Sequence, residues 1–366
     1  VVSQLQYDPS LNHERPFAPP ENVIVCNDAV IILTNEGPII DEHDLTYECT
    51  YSVDVSVKNV INPQYGSAFE SYVSRAGRED PRFRTMVLEL ILRLVLNIHA
   101  KCFYMLTGYP NTGKSVLLSL LTAIVGQSGT ATLKNIQELG GRFKTHFLAG
   151  KRLCVCDEIP NKPFPADGVA VLKSLCGRSP VNAEIKGGDE YSFTEKPLIV
   201  LGGNYALRFP AAEYDEGLLD RLVIIPFIGE PLSKEERSRD LVDCLMAELP
   251  YILSEAIKLF PVLANDDFEN PTRMEIPAEF RPADSRNDYY VVVDYVADHL
   301  KFLVGNKLST DEIYEDFIAC TQSYLQKQPF AKLLADVLKN TMPEVECGIK
   351  LRGGTQRGYG NVAFVT

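Results

Sequence analysis

Apolar positions change their rhythm three times along the 366 residues. Near the start they come as short runs, residues 23–25 and 29–33. After these, Tyr51, Val53, Val55 and Val57 alternate with Ser52, Asp54, Ser56 and Lys58. A period of two marks half-buried strands, so residues 21–60 read as a small β element behind a polar, proline-containing tail. Over 67–73 and 81–99 the pattern turns helical, and 65–100 reads as a helical collar. Within it Glu89, Arg93 and Asn97 recur every four residues, which predicts the wet stripe of an otherwise buried helix. The same interruptions make residues 86–98 too short and too polar to span a bilayer.

Beyond the collar, unalternated apolar runs at 102–106, 153–156, 197–201 and 222–227 read as buried strands, with a helical pattern from Val116 to Ile124 between the first two. The prediction is an α/β core. A further helical pattern joins Leu241, Leu245, Leu249, Ile252 and Ala256, and residues 261–288, with Pro271, Pro277 and Pro282, read as a linker or lid. The end of the chain predicts a helix from about Tyr289 to Leu303 and a second opened by Ser309 and Glu312. A third, from Phe330 to Asn340, leads into a hairpin over 346–352 and 359–365.

Composition changes this picture little: 45% hydrophobic and 23% charged residues are ordinary for a globular chain of two or three domains. Nine scattered cysteines, never in paired CxxC motifs, read as core thiols of a reducing cytoplasm, in a bacterial host cell or its equivalent. Five dispersed histidines give no metal signature. A start at Val1, with neither a signal peptide nor an initiating methionine, suggests a piece of a longer polypeptide.

Charge matters through its distribution. The net −13 lies in the flanks: residues 1–100 carry 7 basic and 14 acidic side chains and 229–366 carry 15 and 23, whereas 101–228 carry 14 and 12. Screening over about 8 Å at physiological salt keeps distant carboxylates from cancelling a local basic surface.

The most informative stretch follows the first core strand: Gly108, Tyr109, Pro110, Asn111, Thr112, Gly113, Lys114 and Ser115. Strand, glycine-containing loop and helix are the context of a phosphate-binding loop. Gly108 and Gly113 let backbone N–H groups face phosphates at a helix N-terminus, where free donors and the helix dipole favour anions. Lys114 would add a point charge and Ser115 a hydroxyl for Mg²⁺. Without its flanks the pattern would be no more than a glycine-rich turn.

Further along, the strand at 153–156 ends in Asp157 and Glu158. Asp157 can hold a metal through water and Glu158 can orient and deprotonate an attacking water; alone, such a pair is a strand meeting solvent. Asn204 follows Gly202 and Gly203, either as a polar sensor of the γ-phosphate or as a turn residue. Two alternating runs around Gly187 and Gly188 predict a hairpin with Lys186 near its tip, solvated or projecting into a pore. Arg221, just before the last core strand, either pairs locally with an acid such as Asp220 or reaches the nucleotide of a neighbouring subunit.

In order and spacing, the loop at 108–115, the Asp157–Glu158 strand end, the segment from Lys173 to Lys186, Asn204 and the Asp220-Arg221…Pro226-Phe227 ending resemble superfamily III helicases. The resemblance is nearest to the helicase half of phage, plasmid and viral primase-helicases. It implies an AAA+ P-loop NTPase core with a parallel central sheet over 101–260, preceded by the tail and β element (1–64) and the collar (65–100). A linker (261–288) and a C-terminal winged-helix domain (289–366) would follow. It further implies ATP and Mg²⁺, a homo-hexameric ring, and 3′–5′ movement on single-stranded and forked DNA. A primase, fused upstream or separate, is an implied partner, although no primase module lies in this chain.

Residue by residue, the resemblance assigns Gly108, Pro110, Asn111, Thr112, Gly113 and Lys114 to nucleotide, and Ser115 and Asp157 to Mg²⁺. Glu158 is assigned to water activation, Asn204 to sensing, Lys173 and Lys186 to DNA, and Arg221 to a finger acting in trans. Two alternatives stand beside the helicase: an ATP-dependent initiator, loader or switch without processive unwinding, and a monomeric P-loop kinase.

Overall fold

The computed structural model describes residues 20–365, leaving aside 45–46, 48–50, 97, 99–100, 136–137, 140–144, 160–163, 178, 185–189, 195, 211–212, 234–238, 322, 324 and 352–355. Two compact units emerge, the first reaching residue 281 and the second made of 207–214 and 282–366 together with Phe164.

The first unit opens on an antiparallel meander, β1 (Val23–Val25), β2 (Val30–Thr34) and β3 (Gly37–Asp41). The alternating residues 51–57 form no strand of their own. Val53 N–H donates to Val25 O at 2.8 Å and Val55 O accepts from Asn27 N at 2.9 Å. Asp28 then takes Ser56 Oγ and the Val57 N–H, so the chain turns into helix α1 (Val57–Ile61). The alternation is real as burial, since Val53, Val55 and Val57 all enter the core, but a carboxylate captures the backbone before a ladder can form.

Helices α2 (Ser67–Ala76) and α3 (Pro81–Leu96) occupy the expected collar. The wet stripe on α3 is overturned: Glu89 and Arg93 are each 1% exposed. They form an i,i+4 ion pair at 3.0 Å, Arg93 donates to Phe268 O at 2.7 Å, and Glu89 accepts the Thr272 N–H at 2.9 Å. A periodicity of charge identifies a face without saying what covers it. Here the chain from Phe268 to Thr272 does, and pairing the two charges offsets the cost of burying them.

The core strands are β4 (Phe103–Gly108), β5 (Thr130–Thr132), β6 (Leu153–Cys156), β9 (Leu198–Gly203) and β11 (Leu222–Phe227). They form a five-stranded, wholly parallel sheet in the order β11-β4-β9-β6-β5. Helix α4 (Lys114–Val125) follows β4, α5 (Ala166–Leu175) follows β6, and the antiparallel pair β7 (Val181–Glu184) and β8 (Glu190–Phe193) precedes β9. Helix α6 (Glu216–Arg221) leads directly into β11, and α7 (Arg239–Ala247), α8 (Leu249–Ile257) and α9 (Phe260–Ala264) follow. Beyond α9, the buried side chains of Met274 and Phe280 hold 265–281 to this unit. Parallel strands align their C-terminal ends, so Gly108, the Asp157 that follows β6 and Gly203 share one edge.

The second unit contains a short parallel bridge of β10 (Arg208–Phe209) and β12 (Ala283–Asp284). It continues through α10 (Ser285–His299), β13 (Leu300–Ser309), α11 (Thr310–Thr321), α12 (Lys327–Thr341), β14 (Glu346–Lys350) and β15 (Arg357–Phe364). Its sheet is antiparallel in the order β13-β15-β14. The helix expected to reach Leu303 stops at His299, because Leu300–Phe302 and Lys307–Ser309 pair with β15. Aromatic and branched residues in that stretch suit either period, and a strand more than fifty residues downstream decides between them. Ser309 and Glu312 do cap α11 reciprocally, with Ser309 N to Glu312 Oε2 at 2.7 Å and Glu312 N to Ser309 Oγ at 3.1 Å.

Candidate nucleotide site

Gly113 sits at the N-cap of α4 with φ +106°, a conformation that disfavours any side chain. A Cβ there would also meet the Tyr72 ring at 2.7 Å, and one on Gly108 would meet Phe227 O at 2.1 Å. The loop is therefore pressed between collar and sheet. Tyr72 Oη, on α2, donates to Gly113 O at 2.9 Å, and Leu232 N donates to Asn111 O at 2.7 Å. Thr112 Oγ1 closes the loop on Tyr109 O at 2.7 Å.

Lys114 Nζ lies inside this turn, donating to Gly108 O at 3.1 Å and Tyr109 O at 2.6 Å. Burial pushes its ammonium down to about 8, against the nearby Asp157 carboxylate, which favours the charged form. Ser115 Oγ donates to Asp157 Oδ1 at 3.0 Å, linking the first turn of α4 to the end of β6. Asp157 and Glu158 are both exposed at that edge.

Asn204 follows β9 between these two elements, and Thr107 Oγ1 of β4 holds the next residue through Tyr205 O at 3.1 Å. A cavity of about 330 Å³ is lined by Pro110, Asn111, Gly113, Lys114, Ser115, Val116, Asn204 and Leu232. The unsatisfied N–H groups at the start of α4, one buried cation and a hydroxyl–carboxylate pair suit the tail of a nucleoside triphosphate with its divalent ion.

Arg221 is not part of this group. It ends α6 immediately before β11, and Leu222 is in register with Phe103, the first residue of β4. The loop begins where β4 ends, so Arg221 lies at the opposite edge of the sheet. Its Nη1 donates to Gly217 O. Arg273 brackets it, donating to Asp220 O and to Leu222 O at 2.6 Å each. Lys173, on α5, is ion-paired with Asp215 Oδ2 at 2.8 Å, and Asp215 also caps α6 by accepting Leu218 N at 2.7 Å. Lys186 lies outside the described residues, between β7 and β8.

Three side chains had no signal along the sequence: Tyr72, Arg273 and Lys196. Lys196 is buried, with Nζ directed at the carbonyls of Ser174, Gly177 and Ser179, where it gathers the end of α5. Its partners are close in space and remote or unremarkable in the chain.

Among the described residues no helix is long and apolar enough to cross a membrane. No curated protein matches this chain. A family model described as a family of unknown function, DUF5906, matches residues 106–221, from within β4 to Arg221. Among solved structures, the apo structure of the NrS-1 C-terminal region is similar at 10% identity, covering 94% of this chain and 97% of that one, with a TM-score of 0.43. Its A form gives 11% identity, 93% and 97% coverage and a TM-score of 0.42. A JCV helicase bound to a thiazolopyridine-phenoxyphenyl acetamide is similar at 18% identity, over 75% of this chain and 66% of that one, with a TM-score of 0.33.

Proposed function

We propose that this chain is an ATP-driven DNA translocase of the superfamily III helicase type, an AAA+ ring of six subunits that moves 3′–5′ and serves replication of a phage or other mobile element. The observation that carries the reading is the separation of Lys114 and Arg221 across the sheet. Six residues of β11 at about 3.3 Å each put roughly 20 Å between its two edges. A guanidinium so placed cannot reach its own subunit's phosphates. A neighbour's phosphates are the remaining choice for a catalytic role.

In this reading the N–H groups at the start of α4 and the Lys114 ammonium hold the β- and γ-phosphates of ATP. Ser115 and Asp157, already hydrogen-bonded to each other, would hold Mg²⁺, which supplies charge neutralisation on the phosphate oxygens. Glu158 takes the proton of the attacking water, and Asn204 hydrogen-bonds the γ-phosphate or that water. Arg221 of the adjacent subunit meets the charge that develops on transfer. Lys186 contacts a strand in the pore, and the helix-strand-helix-helix-strand-strand order of the second unit suits a winged helix.

The test is ATP hydrolysis with and without single-stranded DNA over a salt series, beside unwinding of a forked duplex. Stimulation that falls steeply with salt, by about 0.7 in log affinity per log salt for each phosphate contacted, supports threading. A flat salt response removes it. The ion pair of Lys173 with Asp215 favours one second reading, an ATP-dependent initiator or loader that grips DNA less. DNA-dependent ATPase without fork unwinding would identify that case.

A further inference from the structure

His299, the last residue of α10, faces Asp316 and Cys320, one turn apart on α11. His299 Nδ1 is 4.0 Å from Asp316 Oδ2, and Cys320 Sγ is 3.8 Å from Asp316 Oδ1. One ligand atom from each of the three lies within 4.8 Å of the others. We propose that these three side chains bind a divalent transition-metal ion of the zinc class, joining α10 to α11 in the second unit.

Zinc–ligand bonds of about 2.0–2.3 Å in a tetrahedron put neighbouring donors about 3.3–3.7 Å apart. The two separations that involve Asp316, 4.0 Å and 3.8 Å, come within an ångström of that, and side-chain rotation can draw all three donors together. The donor set selects the ion. An imidazole, a thiolate and one carboxylate suit zinc and its neighbours, whereas calcium takes six to eight oxygens and magnesium an octahedron of them.

The surroundings orient the donors. Tyr295, one turn before His299, stacks on its ring with centroids 5.1 Å apart and planes 14° from parallel. The Tyr295 hydroxyl donates to Asp316 Oδ2 at 2.8 Å, a second-layer bond of the kind that fixes a metal-ligating carboxylate. The end of α10 is itself held, because His299 O accepts the Val365 N–H at 2.8 Å. His299 and Asp316 are half-buried and Cys320 is exposed, so an ion can enter and water can complete the fourth position.

Zinc binds the thiolate form, so binding releases the Cys320 thiol proton to solvent.

Titration of the full chain with Co²⁺, then displacement by Zn²⁺, tests the site. One equivalent should produce a thiolate-to-cobalt charge-transfer band and raise the melting temperature, and zinc should abolish the band. Cys320→Ser should remove the band, and His299→Ala and Asp316→Asn should each weaken zinc binding at least tenfold. ATP hydrolysis, which uses none of these residues, should be unchanged. The proposal is overturned if the wild-type chain gives no charge-transfer band at one equivalent. It is equally overturned if the band survives in Cys320→Ser, which would assign it to another cysteine. Should a variant not fold, alkylation of the exposed Cys320 in the wild-type chain decides: one equivalent of zinc should protect it, and unchanged labelling refutes the site.

Discussion

The two edges of the parallel sheet are built on opposite plans. At the C-terminal edge the backbone does the shaping: a left-handed glycine, a turn closed on its own carbonyls, and one lysine enclosed by them. At the N-terminal edge arginines do it. Arg273 clamps the carbonyls on either side of Arg221, and Arg93 is buried against Glu89 and the Phe268 carbonyl. The tightly held loop encloses a cation whose charge a ligand's phosphates would meet. A bracketed arginine is set in place before any ligand arrives, which suits a group that must meet transition-state charge without reorganising.

The sharpest way to break this contrast is to separate the edges into different chains. Arg221→Ala is expected to lower ATP turnover by about 10³-fold or more, and Lys114→Ala should be equally silent. Mixing the two variants should restore hydrolysis, because some interfaces then join an intact loop to an intact arginine. No recovery on mixing, in subunits shown to co-assemble, would return Arg221 to a local role.

A smaller effect is expected from Arg273→Met, which keeps side-chain bulk and frees the two carbonyls around Arg221. Turnover should fall by about ten- to a hundredfold with little change in KM for ATP, the cost of a misplaced catalytic group. A change confined to KM would place Arg273 with the nucleotide instead.

Titration sharpens the other edge. Lys114 has a folded value of about 8, below its ordinary one, so its charge is complete well below pH 8 and is lost as pH rises through it. Bound phosphate favours the charged form, so nucleotide affinity should fall above pH 8 by up to about tenfold per pH unit until the bound lysine also titrates. Affinity measured from pH 6.5 to 9.5 checks this, and a constant value excludes Lys114 as the phosphate cation. The smallest effect belongs to Tyr72→Phe: loss of one hydrogen bond to Gly113 O, about 1 kcal/mol, or roughly fivefold in nucleotide affinity with turnover at saturation preserved.

The strand–loop–helix over 103–125 was legible because glycine spacing, strand and helix lie next to one another in sequence. The same locality made the Ser309–Glu312 cap readable. What was misread depended on distant partners. Glu89 and Arg93 carried the period of a solvent face and were covered by residues 268–272. Residues 300–303 read as the end of a helix, and Leu300–Phe302 pair with β15 instead. Residues 51–57 had the burial pattern of a strand, and Asp28 ended it. Tyr72 and Arg273 act on backbone carbonyls, which leave no trace in residue identity. His299 is similar: the Asp316–Cys320 spacing is visible on one helix, and its third member comes from another. The reading of Lys186 at a hairpin tip falls outside the described residues.

Helix α2 has a practical consequence for anyone cutting this protein into parts. Its first turn is capped by Glu248, whose carboxylate accepts Ala68 N at 2.9 Å and Phe69 N at 2.7 Å, and its last turn offers Ala76 O to Gly229 N at 3.1 Å. Between them Tyr72 holds the loop. A fragment begun at the first core strand would keep every recognisable motif yet strand the Glu248 carboxylate and the Gly113 carbonyl without their donors. The smallest fragment that keeps this loop supported therefore starts upstream of Ser67, and truncation series should be planned from that residue backwards.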